Sequence, residues 1–168
     1  MERAQRGGGM TELWNWRIDG AAPAEVYPAL AEALGRVVMP LAVADPARLP
    51  AYAVVCDVWE APGEYGTVVD CYGVPDALPE RPSIAALARL LDRNCLMRDD
   101  TLDAGRHLLV APDGTIRPVH FAVVETDDGE VLSDQRLCTL ADPGCRGWSQ
   151  CHRSRWAPDT IAPALAAA

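Results

Sequence analysis

The 168-residue chain carries fifteen basic residues, all of them arginine, against twenty-four carboxylates, for a formal charge of −9 at neutral pH. With no lysine there is no Schiff-base chemistry, no pyridoxal phosphate site and no P-loop, because each needs an ammonium and arginine stays protonated. The length fits one domain with a real core, since a chain near 150 residues buries about 70% of its unfolded surface, and no apolar run approaches the ~20 residues of a membrane span.

Met1 to Gly9 is rich in arginine and glycine and lacks the apolar h-region of a signal peptide, so residues 1–10 are read as a disordered lead and 11–168 as a single domain. Without an export signal, the six cysteines are expected to sit reduced in a cytoplasm. The alanine-rich, lysine-free usage points to a GC-rich bacterial genome.

Leu13 to Ile18 alternates, with Trp14, Trp16 and Ile18 on one side and Asn15 and Arg17 on the other, which predicts a half-buried strand. Val26, Tyr27, Leu30 and Leu34 recur at helical spacing with Gly35 as the stop, and Pro28 is compatible only with a start near Ala24. Arg36 to Val43 reads as a short apolar strand, followed by a loop from Pro40 to Pro50. Tyr52 to Trp59 and Thr67 to Gly73 read as a hairpin. Ser83 is the expected N-cap of a second helix with Ile84, Leu87, Ala88 and Leu91 on its apolar stripe and Asn94 as its stop. Past a short strand at Cys95 to Met97, the turn signals Pro112-Asp113-Gly114 and Asp127-Asp128-Gly129 predict a meander of Arg106 to Ala111, Thr115 to Glu125 and Glu130 to Leu132. Pro118 inside the middle strand calls for a bulge or an unpaired edge. The tail from Ser133 shows no strong period. The expected fold class is α+β, a mainly antiparallel sheet with two helices on one face and an irregular C-terminal tail.

Charge is uneven along this pattern. Residues 99 to 134 hold nine carboxylates against Arg106 and Arg117. Such a segment repels nucleic acid and steers toward a basic protein partner. On that reading Asp99, Asp100, Asp103, Asp127, Asp128 and Glu130 pair with the partner's cations and Trp148 anchors it.

Three constellations have the residue types of a chemical site. His107 and His120 make an imidazole pair only if a two-residue loop joins their strands. A type I turn through Pro112 and Asp113 with Gly114 left-handed pairs 111 with 115 and puts the histidines on opposite faces, and proline favours that geometry. Asp57 and Asp70 lie in neighbouring strands, and facing one another they would make an acid-base pair; otherwise they alternate on a solvent face with Val55 or Val69 packing inward. Cys71 beside Asp70 reads as a buried thiol or a nucleophile. Cys138, Cys145, Cys151 and His152, among Trp148, Arg153, Arg155 and Trp156, are a complete tetrahedral zinc set by type, although the gaps lack the close C-x-x-C pair of a zinc knuckle.

No Gly-rich phosphate loop, G-x-S-x-G elbow, H-E-x-x-H or EF-hand series is present. The leading expectation is therefore a small acidic cytoplasmic binding or inhibitory protein of immunity type, without cofactor, nucleic acid or membrane. The alternatives are a cofactor-free isomerase, cyclase or hydrolase with Asp57, Asp70, His107 and His120 around one pocket, and a zinc-binding domain built on the tail cysteines.

Overall fold

Trp14, Trp16 and Ile18 alternate along strand β1 (Thr11–Ile18) and are buried, with the two indoles stacked at 5.2 Å. A turn through Gly20 leads to helix α1 (Pro23–Leu34), which buries Val26, Leu30 and Leu34. Pro23 at the first position suits a helix start, the Glu25 carboxylate accepts the Ala22 N–H at 2.9 Å, and left-handed Gly35 closes the last turn. The remaining elements are β2 (Val38–Pro40), β3 (Val54–Glu60), β4 (Thr67–Pro75), α2 (Glu80–Leu91), β5 (Cys95–Arg98), β6 (Arg106–Val110), β7 (Ile116–Thr126), β8 (Gly129–Leu137) and α3 (Pro143–Gly147). This computed structural model describes residues 11–99, 101, 103–139 and 141–152. The expected lead (1–10), Asp100 and the residues from 153 on, Arg153, Arg155 and Trp156 among them, lie outside the described residues.

Among the described residues eight strands form one sheet in the order β2-β3-β4-β1-β5-β6-β7-β8, antiparallel throughout except for the β2–β3 pair. Both long helices pack on one face of it, over Trp16, Val54, Cys56, Val69, Cys71, Met97, Leu108 and Val110. The α+β architecture is thus as expected, with β1 at its centre.

Several boundaries differ from the expectation for local reasons. The strand expected from Arg36 to Val43 pairs only over Val38–Pro40 and then turns into a 3-10 helix at Leu41–Val43. The second helix begins three residues before Ser83, after Pro79; Ser83 lies inside it and donates its hydroxyl to the Pro79 carbonyl at 2.8 Å. Left-handed Asp92, rather than Asn94, ends it. The last strand extends to Leu137, and the irregularity sought at Pro118 lies on β8 instead. Between the pairs His120–Arg136 and Ala122–Ser133, β8 holds one residue more than β7, and Asp134 takes up a left-handed φ of 55°.

The long β7–β8 hairpin serves both faces of the sheet. On the face away from the helices, Val119 and Phe121 of β7 and Leu132 of β8 pack on Leu96, Leu109 and Tyr65. The Leu132 carbonyl accepts the Glu64 N–H at 2.9 Å, and the Glu130 carbonyl accepts the Arg17 guanidinium at 2.8 Å. The base of the hairpin turns its alternate side chains the other way, toward the helix-bearing face.

Candidate metal centre

His120 belongs to that base. It stands opposite Arg106, two residues along β6 from the core residue Leu108, so its ring enters the helix-bearing face at the β6–β8 end of the sheet. The chain covers this end with its own tail. Cys138 follows β8 and donates its N–H to the Pro118 carbonyl at 3.1 Å. Asp142 then caps α3, its carboxylate accepting the Gly144 N–H at 2.7 Å, which places Cys145 in the first turns and Cys151 in the 3-10 turn Ser149–His152.

Four donor atoms meet there. The imidazole of His120 and the thiols of Cys138, Cys145 and Cys151 each offer one atom, all within 4.8 Å of one another, and all four residues are buried. His120 Nε2 lies 3.4 Å from the Cys145 sulfur and 3.6 Å from that of Cys151. Its other nitrogen, Nδ1, faces the Asp103 carboxylate at 3.3 Å. With Nδ1–H donating to that carboxylate, the Nε2 lone pair points into the cluster, the arrangement that metal-binding histidines use. Arg136 donates to the Cys145 sulfur at 3.7 Å and is itself paired with Asp142. Half-buried Trp148 closes the outside, its ring 6.5 Å from that of His120.

Electrostatics favour neutral groups in this pocket. Burial, then the Arg136 charge, lowers the His120 pKa, so the imidazole is neutral and free to ligate. Burial raises the Cys138 thiol and pushes Cys151 up to about 12. Three thiols and one imidazole so placed can hold a metal ion.

The cluster holds three of the four expected donors. Cys138, Cys145 and Cys151 come together as their types suggested, and the fourth donor is His120 from β7. The side chain of His152 lies outside the described part of the structure. Sequence spacing missed this because the histidine and the first cysteine are 18 positions apart and are joined by hairpin register.

The other expected site residues scatter. Ala111 and Thr115 pair across left-handed Gly114, so His107 faces Val119, away from His120. Buried His107 contacts Phe121 edge-on. Asp57 and Asp70 do stand directly opposite one another, half-buried, with Asn15 donating to Asp70 at 2.6 Å. Val55 shares their side of β3 and Val69 the helix side. Asp70 on β4 is three strands from His107 on β6, about 14 Å at sheet spacing, and Asp57 on β3 and His120 on β7 are each one strand further out, so the four residues of the expected catalytic pocket do not converge. Cys71 is buried against Cys56.

The acidic set is likewise divided. Asp99 is 4% exposed and ion-paired with buried Arg106, so it is not a surface charge. Asp103 is engaged by His120, and Glu130 pairs with Arg98 at 2.8 Å. Asp127 and Asp128 are exposed at the β7–β8 turn. No helix among the described residues is long and apolar enough to cross a membrane. Comparison with protein-family models, with curated proteins and with solved structures gave no match.

Proposed function

We propose that the protein is a zinc-binding domain in which one zinc ion, held by His120, Cys138, Cys145 and Cys151, fastens the C-terminal segment to the sheet. The observation that carries this reading is the convergence of four buried donors, three of them thiols, within 4.8 Å. Zinc–sulfur and zinc–nitrogen bonds of about 2.3 and 2.0–2.1 Å at tetrahedral angles set sulfur and nitrogen about 3.6 Å apart. The two imidazole-to-sulfur distances, 3.4 and 3.6 Å, fit that value without rearrangement.

A donor set of three thiolates and one imidazole is closed, with no position for water, which makes the role structural rather than hydrolytic. The local packing needs such a clip. Among the described residues the tail cluster contains only Cys138, Cys145 and Cys151, with Trp148 packed on it. The five-residue α3 and four-residue 3-10 turn are far shorter than a helix that stands alone. Three thiolates on a divalent ion leave one negative charge, and Arg136 beside Cys145 offsets it.

The test is metal analysis of the purified chain together with cobalt(II) substitution. One zinc per chain, and a visible spectrum of tetrahedral cobalt–thiolate type that is lost in Cys145→Ser, is the expected result. A metal-free chain that neither takes up zinc nor gives that spectrum with cobalt overturns the reading.

A further inference from the structure

The remaining cysteines include a second pair. Cys56 and Cys71 are direct partners in the antiparallel β3–β4 register, and both side chains enter the helix-bearing core with no exposure. Their sulfurs are 3.1 Å apart. Carbon atoms in non-bonded contact sit about 3.5–4.0 Å apart and a disulfide needs about 2.0 Å, so the two thiols are in close hydrogen-bonding contact and short of a bond. The backbone also suits a bridge. Directly opposed residues in an antiparallel pair have Cα atoms about 4.5 or 5.5 Å apart, and both values lie in the disulfide range of about 4.4–6.8 Å.

We propose that Cys56 and Cys71 are a disulfide-forming pair that covalently joins β3 to β4, separate from the thiols of the metal centre. This inference goes beyond the zinc reading and does not rest on it. The oxidant is a small-molecule disulfide. One cysteine thiolate attacks it, releasing one small thiol and leaving a mixed disulfide, and the second cysteine displaces the other small thiol as the Cys56–Cys71 bond forms. Two electrons and two protons pass to the oxidant, which leaves as two thiols. Both sulfurs are fully buried in the folded sheet, so the reaction belongs to the folding chain or to a sheet opened between β3 and β4. The hydrogen bond with the Cys56 sulfur, then burial, raises the Cys71 thiol far above its ordinary range, which keeps the closed, reduced pair unreactive.

The experiment unfolds the full chain in urea and refolds it with zinc in buffers of graded reduced-to-oxidised glutathione ratio, which removes the shielding by burial. Free thiols are trapped by alkylation under denaturing conditions, and the protein is cleaved after glutamate, at Glu60 and Glu64 between the two cysteines. The expected product is a cross-linked peptide pair containing Cys56 and Cys71, 2 Da lighter than the sum of its reduced halves, in refolded protein with a higher urea midpoint than the dithiothreitol-reduced form. Full alkylation of both cysteines at the most oxidising ratio overturns the proposal. So does a cross-link from either one to Cys95 or to a tail cysteine, or a Cys56–Cys71 bond that lowers the midpoint.

Discussion

Nδ1 of His120 and Oδ2 of Asp103 lie 3.3 Å apart, on a strand and on the loop that precedes its neighbour. The carboxylate fixes which ring nitrogen carries the proton and so orients the lone pair toward the three sulfurs. Outer partners of this kind are worth about 10–100-fold in metal affinity. Asp103→Asn should therefore keep the fold and weaken zinc binding by about that factor, measured by competition with a chromophoric chelator. Unchanged affinity would mean that the contact does not orient the ring.

Removing the metal should act locally first. The helix-bearing core around Trp16, Leu30 and Leu87 is large and lies under α1 and α2, whereas the tail cluster is small. Chelation is expected to raise amide hydrogen exchange over residues 138–152 and at His120 while the amides of β1 and β4 stay protected. Uniform loss of protection along the chain would contradict a local clip.

The Asp99–Arg106 pair is buried on both sides, and Asp99 also accepts from the Thr101 N–H and hydroxyl at 3.1 and 2.7 Å. Taking away one member of such a pair strands the other charge, at a cost of about 3–5 kcal/mol. Asp99→Ala should lose stability on that scale in urea titrations. Asp45→Ala, which breaks the exposed pair with Arg48, should change it little.

His107 provides the acid limb of the stability profile. Burial lowers its pKa to about 4, with the nearby Arg98 and Arg17 charges adding to the effect and a Gly105 backbone hydrogen bond and Glu130 opposing it. The unfolded chain, with an ordinary value near 6.5, binds the proton first. Stability is then complete above about pH 6.5 and declines as the pH falls toward about 4. His107→Gln should flatten the profile across that window in urea midpoints taken at successive pH values. An unaltered slope would assign the acid sensitivity to other groups.

Gly63 marks where the β7–β8 hairpin meets the β3–β4 loop. Its φ is +94°, and a Cβ there would lie 2.7 Å from the Leu132 carbonyl oxygen and from Val131 Cγ1. Gly63→Ala should destabilise by about 1–3 kcal/mol or more, whereas Gly147→Ala, which meets nothing, is expected to be mild.

Local chemistry was the legible part of the sequence. Alternation at Trp14, Trp16 and Ile18 and the apolar stripe of α2 are short-range patterns and survive in the fold. The Pro112-Asp113-Gly114 turn even carried the register that separates His107 from His120. What stayed hidden is set by distant partners. The opposed carboxylates Asp57 and Asp70 depend on a β3–β4 register that a six-residue loop, 61–66, leaves open. The candidate metal cluster was visible as three cysteines and obscured as a set, because the histidine beside them comes from a strand already claimed by another pairing. The acids of residues 99–134 looked like one surface only because sequence does not reveal that Asp99 is buried and Asp103 is engaged.

The β7–β8 hairpin links two regions that could otherwise fail separately. Strand alternation sends His120 to the inner face and its neighbours Val119 and Phe121 to the outer one, so the sulfur cluster and the outer core share the β7 backbone. A tug on the far end of the hairpin is therefore transmitted to the sulfur cluster, and the outer layer cannot peel away without disturbing the ligand strand. Thermal unfolding of the metal-loaded protein should consequently run as one cooperative transition.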